Sequence, residues 1–470
     1  MGKELVKNRI SKYEEQQKQK LVQLGQSKKS YVNILAFLES EIAQSTKMSN
    51  FSYRLLCFRD DGIYQLNRAI EEIYGVSSGK ADSNASGGEK MIETIDITLS
   101  DGTRIKVPYG NIALPDAGNG AQIKINYDYG TQTLLVTGSC EFRFSSLMDD
   151  IIERTRELLT TESIYRNQAI EIVDETCLPK IIDLTNIDKE FMVLSDETKY
   201  SLIPLEARIK KSEACISKGI PLKFGALLEG PYGTGKTLLA FKKAKEAIEN
   251  GWIFIYLKEP TLLAKVLRLA KTVDKNGKGV FVFVEDIDQV TRGERNSAMQ
   301  DILNTLDGGD TKDMNVISLF TTNHMELIEP TFLRGKRIGS IISLGFLDKK
   351  TTKEFIDVAF GKDNYIVCQE GMEEVYQMVE DSDIAPAFMA EIVETVKSNM
   401  ILTEENEVKA EYIKNSVKSY LRQVALSRKK DMSETIEKRL ASALEDIIIG
   451  KTSEKLDEFM DQVRERLDID

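Results

Sequence analysis

The sequence predicts an α/β fold: a parallel sheet wrapped by helices around a phosphate-binding loop, with a helical lid, an N-terminal α+β module and a C-terminal helical extension. Two observations carry this. Short apolar runs alternate with helical segments from about 180 to 345, and one junction between them reads Gly230-Pro231-Tyr232-Gly233-Thr234-Gly235-Lys236-Thr237, a full match to GxxxxGK followed by Ser or Thr. At 470 residues the length prior is about three domains, ample for a sizeable core.

Taken in order, residues 1–76 read as an N-terminal helical region. Residues 3 to about 46 are rich in Lys, Gln and Glu, with Tyr31, Leu35, Leu38 and Ile42 at helical spacing. This fits one or two exposed helices, either solvated with one packed stripe or forming a coiled coil with a partner. A strand over Tyr53 to Phe58 and a helix from about Asp61 to Tyr74, carrying Ile63, Leu66, Ile70 and Ile73, follow. The stretch from Ser77 to Gly88 has no apolar periodicity and reads as a linker or loop.

Residues 91–160 read as a β-rich recognition module. Ile95, Ile97 and Leu99 alternate with polar residues, the Asp101-Gly102 turn follows, and Ile105 and Val107 resume the alternation, which predicts a hairpin. A second pair, Ile123 to Tyr129 and Thr133 to Thr137, lies beyond a Pro/Gly-rich loop around Pro115 to Gly120, and a helix from about Leu147 to Leu159 leads out. These residues contain no catalytic set, so recognition and a purely structural role both stand.

The span 180–346 is the expected large α/β subdomain, with strands at Ala226 to Glu229, Trp252 to Leu257, Val280 to Val284, Asn315 to Phe320 and Ser340 to Leu344. Residues 347–400 read as a helical lid. The extension 401–470 carries two amphipathic helices, one with Ile436, Leu440, Leu444, Ile447 and Ile448 ending at Gly450, the other with Leu456, Phe459, Met460, Val463 and Leu467. A hairpin packing on itself or on a neighbouring subunit accounts for them.

Composition excludes several functions. The formal charge of -12, from 63 basic and 75 acidic residues, gives no bulk field for polyanions and weighs against nucleic acid. The cysteines, Cys57, Cys140, Cys177, Cys215 and Cys368, are scattered and never spaced CxxC, which fits reduced thiols in a reducing compartment. A single histidine, His324, excludes a multi-histidine metal site and an HExxH protease motif within this sequence. The start, Met1-Gly2-Lys3-Glu4-Leu5-Val6-Lys7, lacks the apolar core of a signal peptide, and no run approaches the roughly 20 apolar residues of a membrane span. A soluble, cytoplasmic protein without membrane contact is expected.

The chemistry begins at the glycine-rich stretch. Its glycines let the loop from Gly230 to Leu238 turn its backbone N–H groups, which Pro231 alone lacks, toward a polyphosphate, the following helix adds its dipole, Lys236 reaches the β- and γ-phosphates, and Thr237 can ligate Mg²⁺. Val280 to Val284 ends in Glu285-Asp286-Ile287-Asp288, placing carboxylates on the same side of the sheet for a metal and for an attacking water. The next strand ends in Thr321-Thr322-Asn323, so Asn323 offers an uncharged polar group beside the γ-phosphate.

On these motifs, residues from about 180 to 400 resemble the AAA+ ATPases, and within them the AAA clade of protein-remodelling ATPases. The residues that carry the resemblance are GPYGTGKT at 230 to 237, VFVEDID at 282 to 288, LNTLDG at 303 to 308, FTTN at 320 to 323 and FLRGKR at 332 to 337. It implies hydrolysis of ATP to ADP and phosphate with Mg²⁺. Arg334 and Arg337 are then arginine fingers that serve the ATP of a neighbouring subunit, in a homo-oligomeric ring that is most often a hexamer. It also implies a chaperone-like unfoldase whose N-terminal region holds a protein substrate or adaptor. The alternatives are a nucleic-acid machine of the helicase-loader type, disfavoured by charge, and a nucleotide-gated assembly scaffold.

Two features depart from the family pattern. The strand end reads Glu285 then Asp286 where Asp then Glu is usual, so Glu285 serves the metal and Asp286 orients water, or a slipped register puts Asp286 at the metal. The central pore-loop region, Thr261-Leu262-Leu263-Ala264-Lys265-Val266-Leu267, is shortened and has neither aromatic nor glycine, which speaks against threading a substrate. In the lid, Asp381 to Phe388 resembles the start of the helix that approaches the nucleotide. Leu344-Gly345-Phe346, which follows a strand directly, reads as its end.

Overall fold

In the computed structural model the described residues are 39–74, 93–114, 117, 120–273, 278–291, 297–307, 314–333 and 337–426, with positions 15 and 19. The chain divides into two compact units, Met1–Gly345 and Phe346–Asp470. Residues 39–45 are helical and Ile42 is exposed. Tyr31, Leu35, Leu38, the linker at 77–88, most of the Pro115 to Gly120 loop, Arg334 and the apolar stripes from Ile436 to Leu467 lie outside the described residues.

The first unit opens with β1 (Met48–Leu56) and α1 (Arg59–Tyr74), then β2 (Thr94–Thr98) paired to β3 (Arg104–Pro108). β4 (Gly110–Ala113), β5 (Gln122–Asp128), β6 (Thr133–Glu141) and α2 (Ser145–Thr161) follow. An antiparallel sheet runs β1-β6-β5-β4, with Met48 opposite Glu141 and Leu56 opposite Thr133. The period-two pattern buries Ile123, Ile125, Leu134 and Val136, and the helical stripe Ile63, Leu66 and Ile70 of α1 closes the same core. The expected division between a helical region 1–76 and a β module 91–160 is therefore corrected. β1 satisfies its backbone only by lying along β6, so residues 48–74 and 93–161 build one α+β body.

The seven-stranded sheet follows, in the order β13-β9-β12-β11-β10-β7-β8. Its strands are β7 (Ala169–Ile172), β8 (Lys180–Ile181), β9 (Phe224–Glu229), β10 (Ile253–Leu257), β11 (Val280–Val284), β12 (Val316–Thr322) and β13 (Ser340–Ser343). All but β8 are parallel. β10, β11 and β12 are buried along their whole length, as apolar strands covered on both faces must be. The β7–β8 pair, on the β10 edge, has no counterpart in the sequence reading. α3 (Asp196–Lys210), capped by Ser195 accepting from the Thr198 N–H, and α4 (Lys236–Glu249) cover one face. α5 (Leu263–Val273) and α6 (Ser297–Asp307) lie on the other. There the core of the sheet is continuous with that of the N-terminal body: Leu263, Val266 and Leu267 of α5 belong to one apolar cluster with Ile151, Leu158 and Leu159 of α2.

The second unit contains α7 (Lys349–Gly361), opened by a capping box between Asp348 and Thr351, α8 (Met372–Asp381) and α9 (Pro386–Thr403). Pro386 starts α9 within the segment expected to open a helix. The expected boundary at 400/401 falls inside α9. Residues 410–426 are also helical, and Ile413 and Val417 are fully buried, so this unit continues past that boundary. No helix among the described residues is long and apolar enough to cross a membrane.

Candidate nucleotide site

Parallel β9, β11 and β12 bring their C-terminal ends to one edge of the sheet, and the loops there collect the charged residues. The phosphate loop leaves β9 at Gly230, where a Cβ would lie 2.0 Å from the Leu344 carbonyl oxygen, so only glycine fits. That close approach also accounts for Leu344, which is buried and donates its N–H to Glu229 O at 2.9 Å as the end of the edge strand. Gly235, at φ 93, caps α4 in the left-handed region, and Met192 packs against it.

Lys236 lies at the first position of α4 and is 8% exposed. Its Nζ donates to the carbonyls of Gly230 and Pro231, each at 2.8 Å, which folds the ammonium into its own loop. Burial lowers its pKa, against the opposing charges of Asp286, Glu229 and Glu285. Beside it, Thr237 Oγ1 donates to Glu285 Oε1 at 2.6 Å, and the Tyr256 phenol donates to Oε2. The structure thus puts Glu285, not Asp286, against Thr237.

Asp286 faces the other way. Its backbone turns through the left-handed region at φ 48, which Asp tolerates far better than Glu because its short polar side chain adapts there. Its N–H donates to Thr321 Oγ1 at 3.0 Å, and its Oδ1 accepts from Asn323 Nδ2 at 3.2 Å. Burial first, then the charges of Asp288 and Glu285, raise its carboxyl pKa, with Lys236 and His324 opposing. Thr322 Oγ1 donates to the buried Asp288 at 3.1 Å, fixing the next turn. Tyr232 is exposed and meets the His324 ring edge-on, with centroids 6.3 Å apart.

The structure therefore brings together Lys236, Thr237, Glu285, Asp286 and Asn323. It holds Arg337 elsewhere: Nη1 donates to Thr331 O at 2.7 Å, and the Arg337 carbonyl packs on β9, where a Cβ on Gly225 would come within 1.8 Å of it. Thr237 and Glu285 are hard oxygen donors at bonding distance from one another, the donor type Mg²⁺ takes alongside phosphate and water, so these residues fit that ion. The sequence reading missed Tyr256 and named Thr321 at its strand end without a role. Tyr256 carries the one polar group in the run Ile253–Leu257 and sits at its C-terminal end, which is the signal that could have found it.

Residues 226–346 match the family model described as "ATPase family associated with various cellular activities (AAA)". The chain carries an AAA ATPase domain. Among relatives of this AAA domain, the ATP-dependent zinc metalloprotease FtsH of Lactiplantibacillus plantarum is 30% identical over 178 residues, 35% of this chain and 24% of that protein. The ATP-dependent zinc metalloprotease FtsH of Helicobacter pylori is 25% identical over 248 residues, 49% of this chain and 39% of that protein. A chloroplastic protein of Arabidopsis thaliana, named a probable inactive ATP-dependent zinc metalloprotease FTSHI 4, is 28% identical over 190 residues, 37% of this chain and 22% of that protein. The chain thus spans well under half the length of these relatives. Within this AAA domain the link from β10 to α5 is short: it runs from Lys258 to Leu262, and Pro260 and Leu262 are buried.

Proposed function

We propose that this chain is an ATP-hydrolysing AAA+ remodeller that works in the cytoplasm as a ring, most simply a hexamer, on a protein substrate held by its N-terminal body. The observation that carries the reading is the convergence of Lys236, Thr237, Glu285, Asp286 and Asn323 at one sheet edge. The loop N–H groups and Lys236 bind the phosphates, and Lys236 exchanges its two carbonyl partners for phosphate oxygens. When bound, Mg²⁺ supplies charge neutralisation on the phosphate oxygens, with Thr237 and Glu285 as its protein ligands. Asn323 holds Oδ1 of Asp286, leaving Oδ2 to orient the attacking water and accept its proton, a role that a raised carboxyl pKa favours. Arg334 and Arg337 serve the neighbouring subunit's ATP.

The short β10–α5 link supports remodelling by movement of the N-terminal body rather than by threading through a central pore. Any zinc-dependent peptide hydrolysis must happen outside this sequence, whose one histidine supplies no zinc-binding motif. A second reading, a nucleotide-gated assembly scaffold, is favoured by that same link and by the short side chain at Asp286.

Phosphate release and light scattering test the proposal. Wild type should turn over ATP in a Mg²⁺-dependent way and assemble with nucleotide, while Lys236→Ala and Asp286→Asn lose turnover. If wild type and Lys236→Ala release phosphate equally slowly and wild type still assembles with ATP, the scaffold reading replaces the motor. Capture on Asp286→Asn identifies the substrate, and predominantly DNA or RNA in the retained material would overturn the protein-remodelling reading.

A further inference from the structure

We propose that the outer edge of β1, with the cleft at its C-terminal end, binds an acidic segment of a partner protein as an added β-strand. This rests on the remodeller reading and names the substrate chemistry its N-terminal body would select. Cys57 N–H donates to Gln132 O at 3.3 Å and Phe142 N–H to Lys47 O at 3.0 Å, both in the register of the β1–β6 ladder. Alternation between these two bonds turns the N–H and C=O of Asn50, Ser52, Arg54 and Leu56 away from β6. Among the described residues no strand lies on that side, since β1 ends the sheet.

Natural sheets protect such an edge with charge, proline, a bulge or shortness. β1 has little of this protection: it is 9 residues long, its sequence MSNFSYRLL carries a single charge, and its register with β6 is unbroken. A long, regular edge so lightly protected among the described residues is a binding surface for an extended peptide.

The cleft chooses the peptide's charge. It measures about 700 Å³ and is walled by Arg54 of β1, Arg156 of α2, and Arg268 and Lys271 of α5. Against these four cations the lining sets two carboxylates, Glu153 paired with Arg156 and Glu157 paired with Arg154 outside the cleft, so its net charge is positive. In a chain of net charge -12 this is a local cationic surplus. A second copy of β1 would bring only another arginine to it. Nucleic acid is disfavoured because no aromatic side chain lines the cleft to stack a base, and a nucleotide backbone cannot pair with a strand edge.

The probe is a fluorescein-labelled peptide of about ten residues, alternating glutamate and valine, titrated against the full chain by anisotropy. Saturable binding is expected, weakened about tenfold by Ser52→Pro, which removes an outward N–H and leaves the β6 ladder intact. Lys271→Glu, on an exposed helix face, should weaken it about fivefold at low salt. Both variants should keep wild-type melting and basal phosphate release. The inference fails if the peptide does not bind, if a glutamine-for-glutamate peptide binds equally well, or if neither variant weakens binding. Tighter binding of a single-stranded oligonucleotide, or a wild-type dimer that Ser52→Pro dissociates, would also overturn it. ATP turnover lost in Lys236→Ala alongside a failed peptide titration would leave the motor standing and remove only this surface.

Discussion

The phenol of Tyr256 donates to Oε2 of Glu285, the carboxylate whose other oxygen takes the Thr237 hydroxyl at 2.6 Å. The ring cannot swing away, because it stacks on Phe283 at 5.3 Å and 18° and meets Phe241 edge-on at 5.4 Å. A glutamate at the end of β11 has one more rotatable bond than the aspartate usual in the family, and Tyr256 removes that freedom. Tyr256→Phe should lower turnover about three- to tenfold and raise the Mg²⁺ concentration giving half-maximal rate, with thermal melting nearly unchanged. Phosphate release across a Mg²⁺ titration checks this, and an unshifted Mg²⁺ profile would remove Tyr256 from the site.

Asp286 and Asn323 form the next test. Asp286→Asn and Asn323→Ala should each bind ATP within a few-fold of wild type yet lose about 10²-fold or more in turnover. Titration with a fluorescent ATP analogue beside a phosphate-release assay separates the two effects. Asp286→Glu should restore no activity and should cost about 1 kcal/mol of stability, because the longer side chain is ill suited to φ 48.

Gly225→Ala addresses the arginine-bearing turn. A Cβ there would sit 1.8 Å from the Arg337 carbonyl oxygen, so the turn must move. Urea unfolding should show a loss of about 1–3 kcal/mol. If Arg334 and Arg337 act on a neighbour as proposed, turnover of the assembled protein should fall further than that of the same variant held at low concentration. Equal losses at both concentrations would count against the arginine-finger assignment.

The buried Asp61 sets a pH dependence. It is wholly buried in α1, accepts from Ser163 Oγ and from Ile164 N–H at 3.1 Å, and burial pushes its carboxyl pKa up to about 6. A raised carboxyl binds its proton more tightly in the folded state, so its contribution is full below the ordinary carboxylate range and is lost as pH rises through about 6. Between pH 4 and 7, wild type should therefore lose about 2 kcal/mol relative to Asp61→Asn. Paired urea melts at each pH measure the difference, and a constant offset would show that Asp61 does not titrate in this window.

The sequence made the motor legible because its strands are continuous apolar runs and its phosphate loop has a fixed spacing. The placement of Lys236, Thr237 and Asn323 follows from strand ends alone, once the sheet is parallel. What stayed hidden depends on contacts distant in sequence. β1 reads as an isolated strand because its partner β6 begins 77 residues beyond its last residue, and β7 is too short to rise above its surroundings. Whether Glu285 or Asp286 lies at Thr237 was open from sequence. It turns on the left-handed backbone at Asp286 and on the reach of Tyr256 from another strand, neither of which leaves a local pattern.

The apolar cluster that runs without a break from α2 into α5 makes the N-terminal body a structural part of the motor rather than a tethered appendage. A truncated protein beginning at the phosphate-loop strand would expose Leu263, Val266 and Leu267 to water and leave β10 with an open edge. Such a fragment should aggregate, and no protease should release a soluble motor from the whole. Mechanically the joint is a weld: α2 and α5 share one apolar cluster, so if the N-terminal sheet grips a substrate as proposed, a displacement of α5 is expected to be felt there directly.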